Sequence, residues 1–137
     1  ALAMPNGIAF SPDEKRLYIA DTGGHKMVQN PKLRNAPAKI HVFDVKDDNT
    51  ITHAFAIDGR CDGMAVDARG SIYTTAREGV VIFSPDGKKL KTIETPEGTA
   101  NCCFGGENYQ TLFITARKSL YCIKMAVKGA KPPKAKW

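Results

Sequence analysis

Apolar and polar residues alternate along this chain in short runs, and almost nowhere at helical spacing. The first two runs cover 7–11 (Gly-Ile-Ala-Phe-Ser) and 16–21 (Arg-Leu-Tyr-Ile-Ala-Asp), joined by a Ser-Pro-Asp turn. Period-two alternation rich in β-branched and aromatic residues predicts strands. Further runs over 39–45 and 51–57 complete a first set of four. A second, tighter set covers 63–66, 71–75, 80–83 and 90–93, with another Ser-Pro-Asp turn at Ser84-Pro85-Asp86-Gly87. A third set has only 102–104, 112–115 and 120–125, and no helix is predicted anywhere.

The sets repeat. Ile8 corresponds to Met64, 56 positions on, and Met64 to Cys102, 38 positions on. An uneven repeat of about 40–50 residues, each unit opening with paired strands, is what propeller blades produce. The predicted fold class is therefore all-β, a β-propeller arc. Its three four-stranded-type blades cover about 6–58, 62–95 and 100–126, the last lacking its outer strand. Such an arc leaves an apolar blade face open at each end. The expectation is a six-bladed ring, closed by a second copy as a two-fold homodimer or by a missing N-terminal half.

Composition adds little to this picture. The 137 residues are 42% hydrophobic and 25% charged, enough for one domain over 1–129 with a core. The net charge of +6 owes much to Lys128, Lys131, Lys134 and Lys136; the Pro/Lys tail over 130–137 is expected to be disordered. The other basic residues are interspersed with acidic ones, so no nucleic-acid partner is expected. No apolar run reaches the ~18 residues of a membrane span, so none is expected with a membrane. The four cysteines, Cys61, Cys102, Cys103 and Cys122, match neither a zinc ribbon nor a disulfide framework. Buried free thiols are expected, with a Cys103–Cys122 or Cys102–Cys122 contact across neighbouring strands. A signal peptide already removed would leave no trace, so the compartment stays open between cytoplasmic and periplasmic or secreted.

Candidate chemistry sits where innermost strands begin. Asn6 precedes Gly7 and Asp62 precedes Gly63, so both side chains are expected to point into the central funnel from one side. An amide oxygen and a carboxylate are hard ligands suited to Ca²⁺ or Mg²⁺. The competing reading is that Asn-Gly and Asp-Gly are turn pairs, chosen for a positive φ at the glycine. Thr99 and Asn101 stand at the mouth of the third blade and are candidates to line the channel. His25 lies on the long loop over 22–38, a candidate lid, where it faces substrate or is a plain surface histidine. Asp21 orients a ligand or caps the following turn. His41 and His53, towards the rim, and Asp13, Asp67 and Asp86, in turns, are expected to be structural. Cys61 adjoins Asp62 but has no recognisable base, and no Ser-His-Asp or Cys-His arrangement is readable.

Three segments together resemble the gluconolactonase family, which includes the senescence marker protein and the luciferin-regenerating enzyme. They are Pro5-Asn6-Gly7-Ile8-Ala9-Phe10-Ser11-Pro12-Asp13 with Leu17-Tyr18-Ile19-Ala20-Asp21-Thr22-Gly23, Cys61-Asp62-Gly63-Met64-Ala65-Val66-Asp67, and Ala100-Asn101-Cys102-Cys103-Phe104-Gly105-Gly106 with Leu112-Phe113-Ile114-Thr115-Ala116-Arg117. The likeness runs from about Pro5 to Gly129 and looks like the C-terminal half of such an enzyme. It implies a six-bladed propeller with one divalent metal at the top of its channel, Ca²⁺ first and Mg²⁺, Mn²⁺ or Zn²⁺ as alternatives, hydrolysing sugar lactones. It implies Asn6 and Asp62 as metal ligands and Asp62 also as general base. The family's other metal ligands and its substrate-binding Arg and Glu come from blades this chain does not contain. Two functions follow as expectations: a metal-dependent lactonase, or a non-catalytic binding module or half-enzyme completed by dimerisation.

Overall fold

The computed structural model describes residues 1–131. Eleven strands form three antiparallel sheets. Sheet 1 runs in chain order through β1 (Pro5–Phe10), β2 (Arg16–Asp21), β3 (Lys39–Val45) and β4 (Ile51–Asp58). Sheet 2 does the same with β5 (Met64–Val66), β6 (Ile72–Ala76), β7 (Gly79–Phe83) and β8 (Lys89–Glu94). Sheet 3 has β9 (Thr99–Gly105), β10 (Thr111–Ala116) and β11 (Ser119–Lys124). Each predicted strand is present, with ends differing by a few residues. The largest change is β9, which extends back to Thr99 because Asn101 and Thr99 pair with Thr115 and Ala116.

The Ser-Pro-Asp turns are built alike. The Asp13 carboxylate accepts the Ser11 hydroxyl at 2.6 Å and the Lys15 N–H at 3.2 Å, and Asp86 accepts the Ser84 hydroxyl. In the second turn Gly87 takes a φ of 87°, the left-handed region open to glycine; in the first, Glu14 must adopt 59°. Asp67 is buried and receives the Arg69 and Ser71 N–H groups at 2.9 Å each, with the Tyr73 hydroxyl at 3.2 Å. All three aspartates hold their own turns, as expected.

Two apolar clusters separate the sheets. Tyr18, Ile40, Val42, Ile57, Ile72, Val81 and Phe83 pack between sheets 1 and 2. Tyr73, Val80, Ile82, Phe104, Leu112 and Ile114 pack between sheets 2 and 3. Successive residues of β6 and β7 thus go to opposite clusters, as the pleat requires. The outer flanks of sheets 1 and 3 have no such cover among the described residues. Ile8 is 62% exposed, Phe10 49% and Leu120 68%.

Three expectations need correction. Cys103 and Cys122 both lie opposite Phe113, on the two strands that flank β10. They are therefore two strands apart, about 10 Å at a ~4.8 Å strand spacing, beyond bridging distance. Neither Cys102 nor Cys103 is on a strand neighbouring Cys122, and all four thiols are free; Cys103 and Cys122 are exposed rather than buried. The loop over 22–38 is not wholly irregular: Asn30 caps a single 3₁₀ turn, Pro31–Leu33, with its side chain accepting the Lys32 N–H. Ala130, placed at the start of a disordered tail, donates its N–H to the Val66 carbonyl at 2.8 Å. Its neighbours join this clasp, with Ala68 N–H bonding Lys128 carbonyl and Gly129 N–H bonding Tyr109 carbonyl, each at 2.8 Å. The rest of the tail expectation falls on 132–137, outside the described residues.

Candidate functional site

The inner strands β1, β5 and β9 lie side by side, and their mouths bring Asn6 and Asp62 together. The Asn6 amide donates to Asp62 Oδ1 at 2.5 Å, with both side chains exposed. The backbone makes this meeting possible. Gly7 N–H bonds the Asp62 carbonyl at 2.8 Å, and a Cβ on Gly7 would lie 2.5 Å from that carbonyl oxygen. On Gly63 a Cβ would collide with the side chain of Asn101. Neither glycine has a positive φ. The turn reading of Asn-Gly and Asp-Gly is thereby overturned: these glycines serve close approach between inner strands.

Asn101 sits at the third mouth, next to Gly63, with its side-chain oxygen accepting the Cys102 N–H at 2.9 Å. It lines the same end of the inner strands but does not bond Asp62. The Thr99 hydroxyl is engaged between sheets, accepting the Ala76 N–H at 3.1 Å and lying 2.8 Å from the Gly79 carbonyl, its better-placed acceptor. His25 is exposed, and its Nδ1 accepts the Met27 N–H at 3.3 Å within its own loop.

Two positioning residues carry the site from behind. Thr75, buried at 1% exposure, accepts the Gly63 N–H at 2.9 Å and directs its proton to the Gly63 or Ala100 carbonyl, at 2.9 and 3.1 Å. It fixes the backbone after Asp62 relative to β9. Sequence reasoning missed it, since a threonine ending a strand carries no signal of contact across sheets. Asp21 holds the segment before Asn6. Its carboxylate accepts N–H groups from Ala3 at 2.6 Å, Met4 at 2.9 Å and Gly23 at 3.0 Å. Burial pushes its pKa up, yet the Met4, Ala3 and Gly23 N–H groups outweigh this and leave it below the usual carboxylate value. Asp21 therefore caps backbone rather than facing a ligand.

Cys61 is excluded as a nucleophile. It is fully buried, its thiol points to the Gly63 carbonyl at 3.1 Å, and burial raises its pKa to about 12. In kind, the exposed pair of Asn6 and Asp62 fits a hard divalent cation. In number it is partial, since Ca²⁺ takes about six to eight oxygens. Among the described residues no group of three or more His, Cys, Asp or Glu side chains is placed to hold an ion.

Comparison with known proteins gives the chain its family and fold. The gluconolactonase of Zymomonas mobilis is 32% identical over 93% of this chain and 36% of its own length. A solved gluconolactonase from Xanthomonas campestris superposes with a TM-score of 0.68 at 35% identity, covering 90% of this chain and 38% of that one. A regucalcin from Agrobacterium tumefaciens, described as a calcium-binding protein, shares the fold, with a TM-score of 0.68 at 22% identity over 96% of this chain and 48% of its own. The chain thus spans well under half the length of the gluconolactonases it matches. The family model for the SMP-30/Gluconolactonase/LRE-like region matches residues 1–118, so the chain belongs to that family.

Proposed function

We propose that this chain forms half of a six-bladed propeller that hydrolyses a sugar lactone. Its three sheets serve as three blades, and the mouth of β1 and β5 is the active centre. The observation that carries this reading is the 2.5 Å meeting of Asn6 and Asp62 on adjacent inner strands, inside the segment matched by the family model. Asn6 and Asp62 would hold a divalent cation, Ca²⁺ first by donor chemistry. When bound, that cation supplies Lewis-acid polarisation of the lactone carbonyl. The exposed Asp62 carboxylate, beside the Asn6 amide, would also take a proton from an attacking water. Water oxygen adds to the carbonyl carbon, the ring C–O bond breaks, and the proton passes to the departing ring oxygen to give the hydroxy acid. Asn101, and less directly His25, would contact the sugar; Thr99, whose hydroxyl ties two sheets, would shape the channel wall through its backbone.

A second reading is a non-catalytic binding module, or an inactive half-enzyme fragment completed by dimerisation. The two-member donor set favours it; the exposed Ile8, Phe10 and Leu120 on the two outer flanks fit either reading. Acid release from glucono-1,5-lactone in a pH-stat separates the two. Lactonase action predicts Ca²⁺-dependent hydrolysis that falls at least ~10²-fold in Asp62→Ala. A folded sample releasing acid only at the spontaneous rate points to the second reading. Light scattering on the same sample then reports whether a second copy closes the ring.

A further inference from the structure

Two histidines expected to be inert meet on the outer flank of sheet 1. His41 Nδ1 and His53 Nε2 are 3.2 Å apart, and the rings are tilted by 59°. The register brings them together. β3 and β4 pair regularly through Val42 and Phe55, then slip, so that Phe43 faces His53. A bulge of this kind re-aims a side chain, here turning His53 back towards His41. Phe43 then meets the His53 ring edge-on, with centroids 5.3 Å apart at 81°, which restrains its rotation.

The far side of His41 is also occupied. Its Nε2 lies 4.0 Å from Oδ2 of Asp21, a buried carboxylate. That charge favours the tautomer carrying its proton on Nε2 and leaves the Nδ1 lone pair directed at His53. At 4.0 Å the carboxylate is too far to hydrogen-bond Nε2, so it biases the tautomer by its charge alone. The spacing of the two nitrogens fits a shared ion. At a metal–nitrogen bond of about 2.0–2.1 Å, two imidazoles on one four-coordinate ion keep their nitrogens roughly 3–3.4 Å apart.

We propose that His41 Nδ1 and His53 Nε2 form a two-imidazole site for a borderline transition-metal ion such as Zn²⁺, separate from Asn6 and Asp62. Water completes the coordination, since the protein supplies two ligands. His53 is exposed, so the ion reaches the pair by a small ring movement. Imidazole nitrogens do not suit Ca²⁺, so the two sites sort ions by ligand type. The proposal does not depend on lactone hydrolysis.

Zinc titration by calorimetry tests this, with saturating Ca²⁺ present and in a Cys103→Ser/Cys122→Ser background that removes the exposed thiols as competing ligands. One zinc should bind, unaffected by Asp62→Ala and weakened at least ~10-fold by His53→Ala and by His41→Gln. Ring nitrogen-15 spectra should show His41 Nδ1 and His53 Nε2 shifting together on zinc addition. Because His53 is exposed, its alanine variant should fold, which keeps that arm decisive. Unchanged zinc affinity in His53→Ala, or ring signals that zinc leaves in place, overturns the proposal and leaves an N–H···N hydrogen bond only.

Discussion

Sheets 1 and 2 carry similar hydrophobic patterns and meet different fates. Every residue of β7, Gly79–Phe83, is buried, because sheet 1 covers one of its faces and sheet 3 the other. In β1 the same alternation buries little, with Ile8 62% and Phe10 49% exposed. Local sequence is equally strand-forming in both. What differs is whether a neighbour stands on each face. An apolar residue contributes stability only when something covers it, and one alternating strand cannot say how many of its faces are covered.

Core truncation should expose that difference most strongly. Ile72→Ala, at a fully buried position of β6, should cost about 2–5 kcal/mol in urea unfolding. Ile8→Ala should cost under ~1 kcal/mol in a monomeric sample. A loss at Ile8 as large as at Ile72, or one that grows with protein concentration, would show that sheet 1 is covered in solution.

The ties behind the site come next. Thr75→Val keeps the shape but leaves the Gly63 N–H without its partner, predicting a loss of about 1–3 kcal/mol and a weaker Asp62-dependent calcium response. The calcium response itself is the gain in melting temperature on adding Ca²⁺. At 100-fold excess over Kd, binding adds about 2.7 kcal/mol, all of it lost in Asp62→Ala. No gain in the wild-type chain would overturn calcium binding by Asn6 and Asp62.

Asp21 gives a pH-dependent version. Its carboxyl pKa is lower folded than its ordinary 3.8, so its contribution is fully present above that value. It is lost as pH falls through the lower folded value. Asp21→Asn should therefore destabilise the chain at neutral pH and flatten the stability profile below about pH 4. A profile as steep as wild type would assign the acid sensitivity to other carboxylates.

The smallest effect should be a gain. Glu14→Gly removes the Cβ penalty of a left-handed conformation that Gly87 adopts freely in the matching turn, and should stabilise by up to ~1 kcal/mol in the same urea assay.

Much of this was legible in the residues because it is local. Alternation and Ser-Pro-Asp turn chemistry depend on neighbours within a few positions, so the strands and their grouping into three units followed directly. Asn6 and Asp62 could be paired because each precedes a glycine at the start of an inner strand. The job of those glycines could not be read, since Asn-Gly suits a hairpin turn and a close strand approach equally well. Cys103 and Cys122 show the same limit: strand membership was clear, yet only sheet order placed β10 between them. His41 and His53 are twelve residues apart and meet through one register slip that no periodicity announces.

The chain's own residues therefore specify eleven strands among the described residues, their turns and the identity of the polar groups at each inner-strand mouth. The packing of sheets decided which apolar faces are covered, which hydroxyls tie sheet to sheet, and that Asn6 and Asp62 meet at hydrogen-bond distance. The reason is one of range. Backbone preference and pleat act over a few residues, whereas contacts across sheets join positions as far apart as 69 residues, as from Arg16 to Pro85, and depend on how closely backbones approach.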